Sequence, residues 1–155
     1  MQNIDERIKA IDWEKYETFY GNANEAVSSD NKVIPKTETL LLALFSNDHQ
    51  EAMKSTHYLW CKLCYQYAHL SSAALPAAGF ILYGLRVLDD ELKVELLDIV
   101  RGMVILTSDD LLENTWQHEL RKIISDGKEL LIELSKSENA DISGFAGDIL
   151  EALSK

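Results

Sequence analysis

Hydrophobic residues across the range 33–104 recur at the three- and four-residue spacing of amphipathic helices, and the pattern occurs twice. The first copy opens at Pro35 and has a polar break over residues 46–48. The second opens at Pro76 and breaks at Asp89-Asp90, so the two copies are about 40 residues apart. Proline fits the start of a helix because the first amides have no partner inside it. The pattern therefore predicts two consecutive helical hairpins.

A period near 40 residues with two helices per unit is typical of HEAT and armadillo arrays. The predicted helices of the two copies span residues 36–45, 49–67, 76–87 and 90–106. A third, more degenerate hairpin follows Asp109-Asp110, with Gly127 interrupting its first helix and a last helix ending near Leu153. We therefore expect one all-α domain over residues 1–155, built as a short right-handed array of about three antiparallel hairpins.

The N-terminal region is expected to close the open end of this array. Ile4, Ile8 and Ile11 have helical spacing, and Asp12 is a candidate cap for a short aromatic helix that ends at Gly21. Terminal units of repeat arrays need such a cap. The polar range 22–32 is expected to be a loop. No strand is predicted anywhere, because the only β-branched run before the first hairpin, Val33-Ile34, is two residues long.

The composition is that of an ordinary globular protein. Of the 155 residues, 46% are apolar and 26% are charged, and there are two cysteines, two prolines and seven glycines. The first residues contain neither a basic nor an apolar signal segment, and no apolar run is long enough to span a membrane. With so few cysteines, we expect a cytoplasmic protein in a reducing compartment.

Negative charge is concentrated in the second half of the chain. The formal net charge is −11, and residues 89–155 hold sixteen acidic and seven basic residues. Such a field repels nucleic acid and anionic lipid, and it accelerates encounter with a basic protein. The simpler interpretation is that the acidic residues keep the protein in solution. We therefore expect neither nucleic acid nor a membrane as a partner.

The sequence Trp60-Cys61-Lys62-Leu63-Cys64 matches a redox motif only superficially. In that motif the first cysteine stands at a helix N-terminus after a strand, whereas here the pair falls within a predicted helix. His57 shares a helix face with both cysteines, but a structural zinc site needs four ligands and no second cysteine pair exists. We expect the cysteines to pack as small hydrophobic residues. No catalytic group, metal or cofactor is expected.

Several packing motifs in the range 33–106 carry a family resemblance. They are Val33-Ile34-Pro35, Leu41-Leu42-Ala43-Leu44-Phe45-Ser46-Asn47-Asp48, Glu51-Ala52, Leu59-Trp60, Tyr65-Gln66, Ser72-Ala73-Ala74-Leu75-Pro76 and Phe80-Ile81-Leu82-Tyr83-Gly84-Leu85. This arrangement resembles bacterial HEAT-repeat proteins, whose small members commonly occur as immunity proteins beside polymorphic or contact-dependent growth-inhibition toxins. Relatives often have His-Gln-Gly where this chain has Tyr65-Gln66-Tyr67.

The resemblance implies a non-enzymatic immunity protein that binds a basic, nuclease-type toxin domain and occludes its active site. The expected contact residues lie on turns between repeats and on exposed helix starts, and they are Asp89, Asp90, Glu91, Glu95, Asp98, Asp109, Asp110 and Glu113. Helix capping and solubility explain the same residues without a partner. Two alternatives remain open: a general HEAT-type scaffold for protein binding, and a helical-repeat enzyme such as a DNA glycosylase, which requires a basic groove.

Overall fold

The computed structural model describes residues 3–107 and 113–155, and these residues are mostly helical. The α-helices are α1 (Ile4–Lys9), α2 (Thr37–Leu44), α3 (His49–Leu63), α4 (Ala74–Val87), α5 (Asp90–Ile105), α6 (Trp116–Asp126), α7 (Lys128–Leu134) and α8 (Ala140–Leu153). A single 3-10 turn covers Trp13–Lys15. In the described part of the chain, no helix is both long enough and apolar enough to cross a membrane.

The prediction that the chain has no strand is wrong. Three antiparallel two-stranded hairpins are present: β1 (Glu17–Thr18) with β2 (Gly21–Asn22), β3 (Val27–Ser29) with β4 (Lys32–Ile34), and β5 (Cys64–Tyr65) with β6 (His69–Leu70). Strands of two or three residues are too short to show alternating hydrophobicity. The expected loop over 22–32 contains a hairpin whose turn residues, Asp30 and Asn31, have φ of 51° and 66°. Positive φ at both turn residues matches the twist of a tight hairpin.

The predicted short helix after Asp12 is also wrong beyond its first turn. The backbone of the following residues pairs locally in the β1–β2 hairpin and also bonds to distant elements. Phe19 N–H donates to Lys62 O at 3.0 Å, Glu17 N–H to Ser72 Oγ at 2.9 Å, and Ala73 N–H to Glu17 O at 3.0 Å. Since these bonds satisfy the backbone, the segment lies as a strap over the C-terminal end of α3.

Helices α3, α5 and α8 lie side by side and run in the same direction. At their starts, His49 on α3 contacts Asp89 and Glu91 beside the start of α5, and farther along Cys64 Sγ lies 3.7 Å from Ile99 O. Arg101 on α5 lies 3.9 Å from Asp148, and Arg121 joins the C-terminal carbonyls of α5 and α8. Helix α2 packs on α3, α4 on α5 and α7 on α8. Helices α3, α5 and α8 therefore form one row.

Polar caps define the starts of this row. Asp48 accepts from Glu51 N–H before α3, Asp89 from Leu92 N–H before α5, and Asn139 from two amides before α8. The two aspartates confirm the predicted breaks. Asp109 and Asp110, expected to cap the next helix, lie outside the described residues; α6 has Thr115 as its cap. Gly127 separates α6 from α7, as the sequence indicated.

The helix predicted over 49–67 ends earlier, at Leu63, because the β5–β6 hairpin follows. Helix α5 approaches this region closely at Gly102, where a Cβ atom would come within 2.8 Å of Cys64 Sγ. A larger residue would push α5 away from the end of α3. The absence of a side chain at Gly102 therefore sets the spacing between the first two helices of the row.

Candidate protein-interaction face

Helix α5 lies in the middle of the row, and one line of its side chains reaches solvent. Glu91, Glu95, Asp98, Arg101 and Ile105 recur every three or four residues, so they lie in line along the helix. The opposite side of α5 is buried by Leu92, Leu96, Leu97, Ile99, Val100, Met103 and Val104. Three of the predicted contact residues, Glu91, Glu95 and Asp98, are thus brought together on one accessible line.

Helix α8 adds a second acidic line beside the first. Asp141, Phe145 and Asp148 have helical spacing and are exposed or half-buried, and α8 contains no lysine, arginine or histidine. Arg101, on the α5 line, reaches Asp148 on the α8 line at 3.9 Å, a long contact for an ion pair. One guanidinium therefore stands among several carboxylates, and the combined surface keeps its negative charge.

Aromatic rings occupy the centre of this surface. The guanidinium carbon of Arg101 lies 5.8 Å from the ring centroid of Tyr67 and 5.8 Å from that of Phe145. Trp60 meets Tyr67 edge to face at 6.1 Å, and Tyr67 Oη donates to Asp98 O at 3.4 Å. We call this surface the interaction face and define it by Trp60, Tyr67, Glu91, Glu95, Asp98, Arg101, Ile105, Asp141, Phe145 and Asp148.

The carboxylate of Asp98 is only half exposed. Burial raises the pKa of Asp98, and the nearby Arg101 charge opposes that increase. A carboxylate that has lost part of its hydration gains more from a cationic partner than one in bulk water. Among the acidic residues of the face, Asp98 is therefore the one expected to bind an incoming lysine or arginine most strongly.

Asp89, Asp90 and Glu91 lie at the N-terminal edge of the face. Asp90 is exposed, whereas Asp89 and Glu91 hold His49 between them, with Nδ1 3.0 Å from Asp89 Oδ2 and Nε2 3.1 Å from Glu91 Oε2. The hydrogen bond with Glu91 raises the pKa of His49, and the Asp89 charge adds to this increase. Both ring nitrogens face carboxylates, so the protonated imidazolium fits this site.

Replacing His49 by glutamine is expected to destabilise the protein at acidic pH and to have little effect at alkaline pH. Because the pKa of His49 is raised in the fold above its ordinary value of 6.5, its contribution is fully present below pH 6.5 and is lost as the pH rises through the raised value. Urea unfolding of both proteins across pH 5 to 9 checks this, with the exposed His118 changed to glutamine as the control. A constant difference between His49→Gln and wild type at every pH would contradict it.

The remaining predicted contact residues lie elsewhere. Glu113 is exposed and follows the C-terminal end of α5, whereas Asp89 precedes its N-terminal end. Glu113 stands two residues before Thr115, which caps the start of α6. Asp109 and Asp110 lie outside the described residues. The structure therefore groups Asp89, Asp90, Glu91, Glu95 and Asp98 along α5, whereas Glu113 belongs to the segment that precedes α6.

Sequence reasoning identified three of the ten residues that define the face, Glu91, Glu95 and Asp98, and missed the other seven. The acidic line of α8 had a readable signal, because Asp141 and Asp148 share a helix face with Phe145 and no base occurs in that helix. The contacts among Tyr67, Arg101 and Phe145 had no signal in the sequence, because they join residues from three segments that are far apart along the chain. Such a cluster is visible only once α3, α5 and α8 are placed side by side.

The cysteines pack as predicted. Cys61 and Cys64 are buried and not joined in a disulfide, and burial raises the pKa of both thiols, which disfavours the reactive thiolate. His57 Nε2 lies 3.8 Å from Cys61 Sγ. Across residues 3–107 and 113–155, no group of three or more histidine, cysteine, aspartate or glutamate side chains is arranged to hold a metal ion.

The chain was compared with protein-family models, curated proteins and solved structures, and none of the three comparisons finds a match. Function is therefore inferred from the geometry and charge of the interaction face. Aromatic residues and an arginine lie at the centre of this face and charged residues lie around them, a composition that is typical of protein interfaces.

Proposed function

We propose that this chain is a bacterial immunity protein, which binds a basic, nuclease-type toxin domain in the cytoplasm and neutralises it by covering the toxin's active site. The observation that carries the proposal is the interaction face, where the accessible lines of α5 and α8 present Glu91, Glu95, Asp98, Asp141 and Asp148 with Arg101 as the one base among the residues that define it. Like charges on such a surface repel nucleic acid, and they attract the basic surface with which a nuclease holds its own substrate.

Inhibition of this kind needs no catalytic group. A rigid acidic surface has to meet the toxin quickly and remain bound, and complementary charge increases the rate of encounter. The row of parallel helices provides rigidity, because α5 is buried against α3, α4, α6 and α8. The toxin is blocked when the immunity protein occupies the surface that its substrate requires.

We also propose that the helices form a short, right-handed HEAT-like array. The three units would be α2 with α3, α4 with α5, and α6 and α7 with α8, while α1 and the β1–β2 strap close the first unit. The parallel course of α3, α5 and α8 supports this assignment, since equivalent helices of stacked repeats run in the same direction.

The experiment that tests the function is co-expression of the chain with the protein encoded by the adjacent gene, followed by purification at low and high salt. We expect a stable complex that weakens as the salt concentration rises, because the contacts between unlike charges are screened. Replacing both Glu95 and Asp148 by lysine should lower the affinity at least about 100-fold, since each new lysine repels the basic partner.

The matched control is Glu133→Lys on α7, an exposed acid outside the interaction face. This variant should bind within about threefold of wild type, because a remote exposed charge changes affinity little. If the double variant and the control bind equally well, the interaction face is not the binding surface. If the neighbour binds but is harmless to cells, the chain is a scaffold and not an immunity protein.

A further inference from the structure

Tyr67 adopts a backbone conformation that bulky residues rarely take. Its φ is 55°, and the preceding Gln66 has φ of 50°, so two residues of the β5–β6 turn are left-handed. Elsewhere in the described chain, the non-glycine residues with positive φ are Asp30, Asn31 and Asn114, whose short polar side chains tolerate this region. An aromatic residue at such a position costs stability, and strained residues of this kind cluster at functional sites.

The strained turn places the Tyr67 ring on the interaction face. The ring packs against α5 at Gly102, where a Cβ atom would come within 3.0 Å of two ring carbons. Its hydroxyl donates to Asp98 O at 3.4 Å, and its face meets the Arg101 guanidinium at 5.8 Å. The ring remains partly accessible to solvent. The strain and the missing side chain at Gly102 together hold one aromatic ring at the centre of an acidic surface.

We propose that Tyr67 is the anchor at which a lysine- or arginine-bearing segment of the partner docks across α3, α5 and α8. This inference rests on the proposed function for the identity of the partner, and it adds the surface and the residue that bind it. Charge identifies the occupant. Glu95 and Asp98 lie on the α5 line, Asp148 lies on the α8 line, and Arg101 contacts the Tyr67 and Phe145 rings between the two helices. An incoming cation therefore meets more carboxylates than this one guanidinium neutralises.

The size of the face agrees with such a partner. The line from Glu91 to Ile105 is about 21 Å long at the helical rise of 1.5 Å per residue, and three helices spaced about 8–10 Å apart give a similar width. These dimensions give about 400 Å² of flat area, enough for the central part of a standard protein interface, which buries about 800 Å² of accessible surface on each partner. Tyrosine, tryptophan and arginine at the centre are the residue types that most often dominate binding energy.

The test separates the strain at Tyr67 from its binding role by using two substitutions. Tyr67→Gly removes the ring and fits the left-handed backbone, so the melting temperature should stay close to that of wild type, while affinity for the toxin domain falls at least about 30-fold. Tyr67→Phe keeps the ring and removes only the hydroxyl, and it should bind within about threefold of wild type. Titration calorimetry with the toxin domain measures both affinities.

A second probe keeps the result decisive if the neighbouring protein is not the partner. A synthetic lysine-rich amphipathic peptide is titrated into isotopically labelled protein, and the amide resonances of Tyr67 and of residues 91–105 are followed by NMR. We expect these amides to shift, and the shifts to be lost in Tyr67→Gly.

Four outcomes across the two probes decide the two proposals. If the toxin binds and Tyr67→Gly weakens binding while Tyr67→Phe does not, the anchor is supported. If the toxin binds wild type and Tyr67→Gly equally, the anchor is overturned and the immunity proposal stands. If only the peptide binds, and binds through Tyr67, the anchor is supported and the immunity proposal fails. If neither probe binds wild type, both are overturned.

Discussion

Replacing Lys62 by methionine is expected to stabilise the protein by about 3 kcal/mol at neutral pH. Lys62 lies in the last turn of α3, its side chain is 0% exposed, and its Nζ has no hydrogen-bond partner among the described residues. Burial lowers the pKa of Lys62 from 10.5 to about 8. At about 1.4 kcal/mol per unit, this difference is the cost of keeping the ammonium charged inside the fold. Methionine fills a similar volume without a charge.

The gain from Lys62→Met should disappear as the pH rises. Below about pH 8 the Lys62 side chain is charged in both the folded and the unfolded protein, so the full cost of burying the charge applies. Between about pH 8 and 10.5 the side chain is neutral in the folded protein but still charged in the unfolded protein, and this cost declines as the pH rises. The raised pKa values of Cys61 and Cys64 destabilise both proteins at alkaline pH, because the thiols ionise more readily in the unfolded chain. The difference between variant and wild type cancels their effect.

Urea unfolding of both proteins between pH 7 and pH 10.5 measures this difference, and Lys54→Met on the exposed side of the same helix is the control. Lys54→Met should change stability by no more than about 0.5 kcal/mol. If Lys62→Met proves less stable than wild type at pH 7, the lysine has a favourable partner and is not the unpaired charge described here.

Replacing Arg121 by methionine is expected to destabilise the protein by about 3 kcal/mol. The Arg121 guanidinium donates to Val104 O at 3.1 Å, to Ala152 O at 2.9 Å and to Thr107 O, so one side chain satisfies carbonyls at the ends of both α5 and α8. Charged donors are worth about 1.5–3 kcal/mol each when partly buried, and a positive charge suits a helix C-terminus. Loss of the guanidinium removes the hydrogen bonds that it donates to these carbonyls, and it weakens the packing of α5 against α8.

Thermal and urea unfolding measure the effect of Arg121→Met. Lys122→Met, an exposed neighbour on α6, is the matched control and should stay within about 0.5 kcal/mol of wild type. Arg121→Lys should fall between the two, because an ammonium keeps the charge but cannot reach three carbonyls with a planar fork. Equal stability of Arg121→Met and Lys122→Met would show that the hydrogen bonds from Arg121 to α5 and α8 contribute nothing to the free energy of unfolding.

The helices were largely predictable because their signals are local. The aspartates that cap α3 and α5 stand directly before apolar residues at helical spacing, and Gly127 stands between α6 and α7. The strands could not be predicted from the sequence, because a strand of two or three residues shows no alternation of polar and apolar residues. Such short strands are stabilised by contacts with distant elements. The strap around Phe19, for example, depends on the hydrogen bond from Phe19 N–H to Lys62 O, and no local sequence pattern predicts this contact.

The interaction face was predictable only where a single helix encodes it. Glu91, Glu95 and Asp98 share one side of an amphipathic helix, and their spacing identified them as accessible. The left-handed backbone of Tyr67 follows from the β5–β6 turn, and no residue spacing in the sequence predicts it. The contact between Tyr67 and Arg101 depends on the packing of α5 against the end of α3, which sequence spacing does not specify.

The measurement that tests the central claim most directly is protection of bacteria from the toxin. The adjacent gene is induced in cells that carry no copy of this chain, the wild-type chain, the Glu95→Lys and Asp148→Lys double variant, or the Glu133→Lys control. We predict that the wild type and the control restore growth and that the double variant does not, with all three present at equal levels. Growth restored equally by the double variant, or by none of the three, would contradict neutralisation through the interaction face.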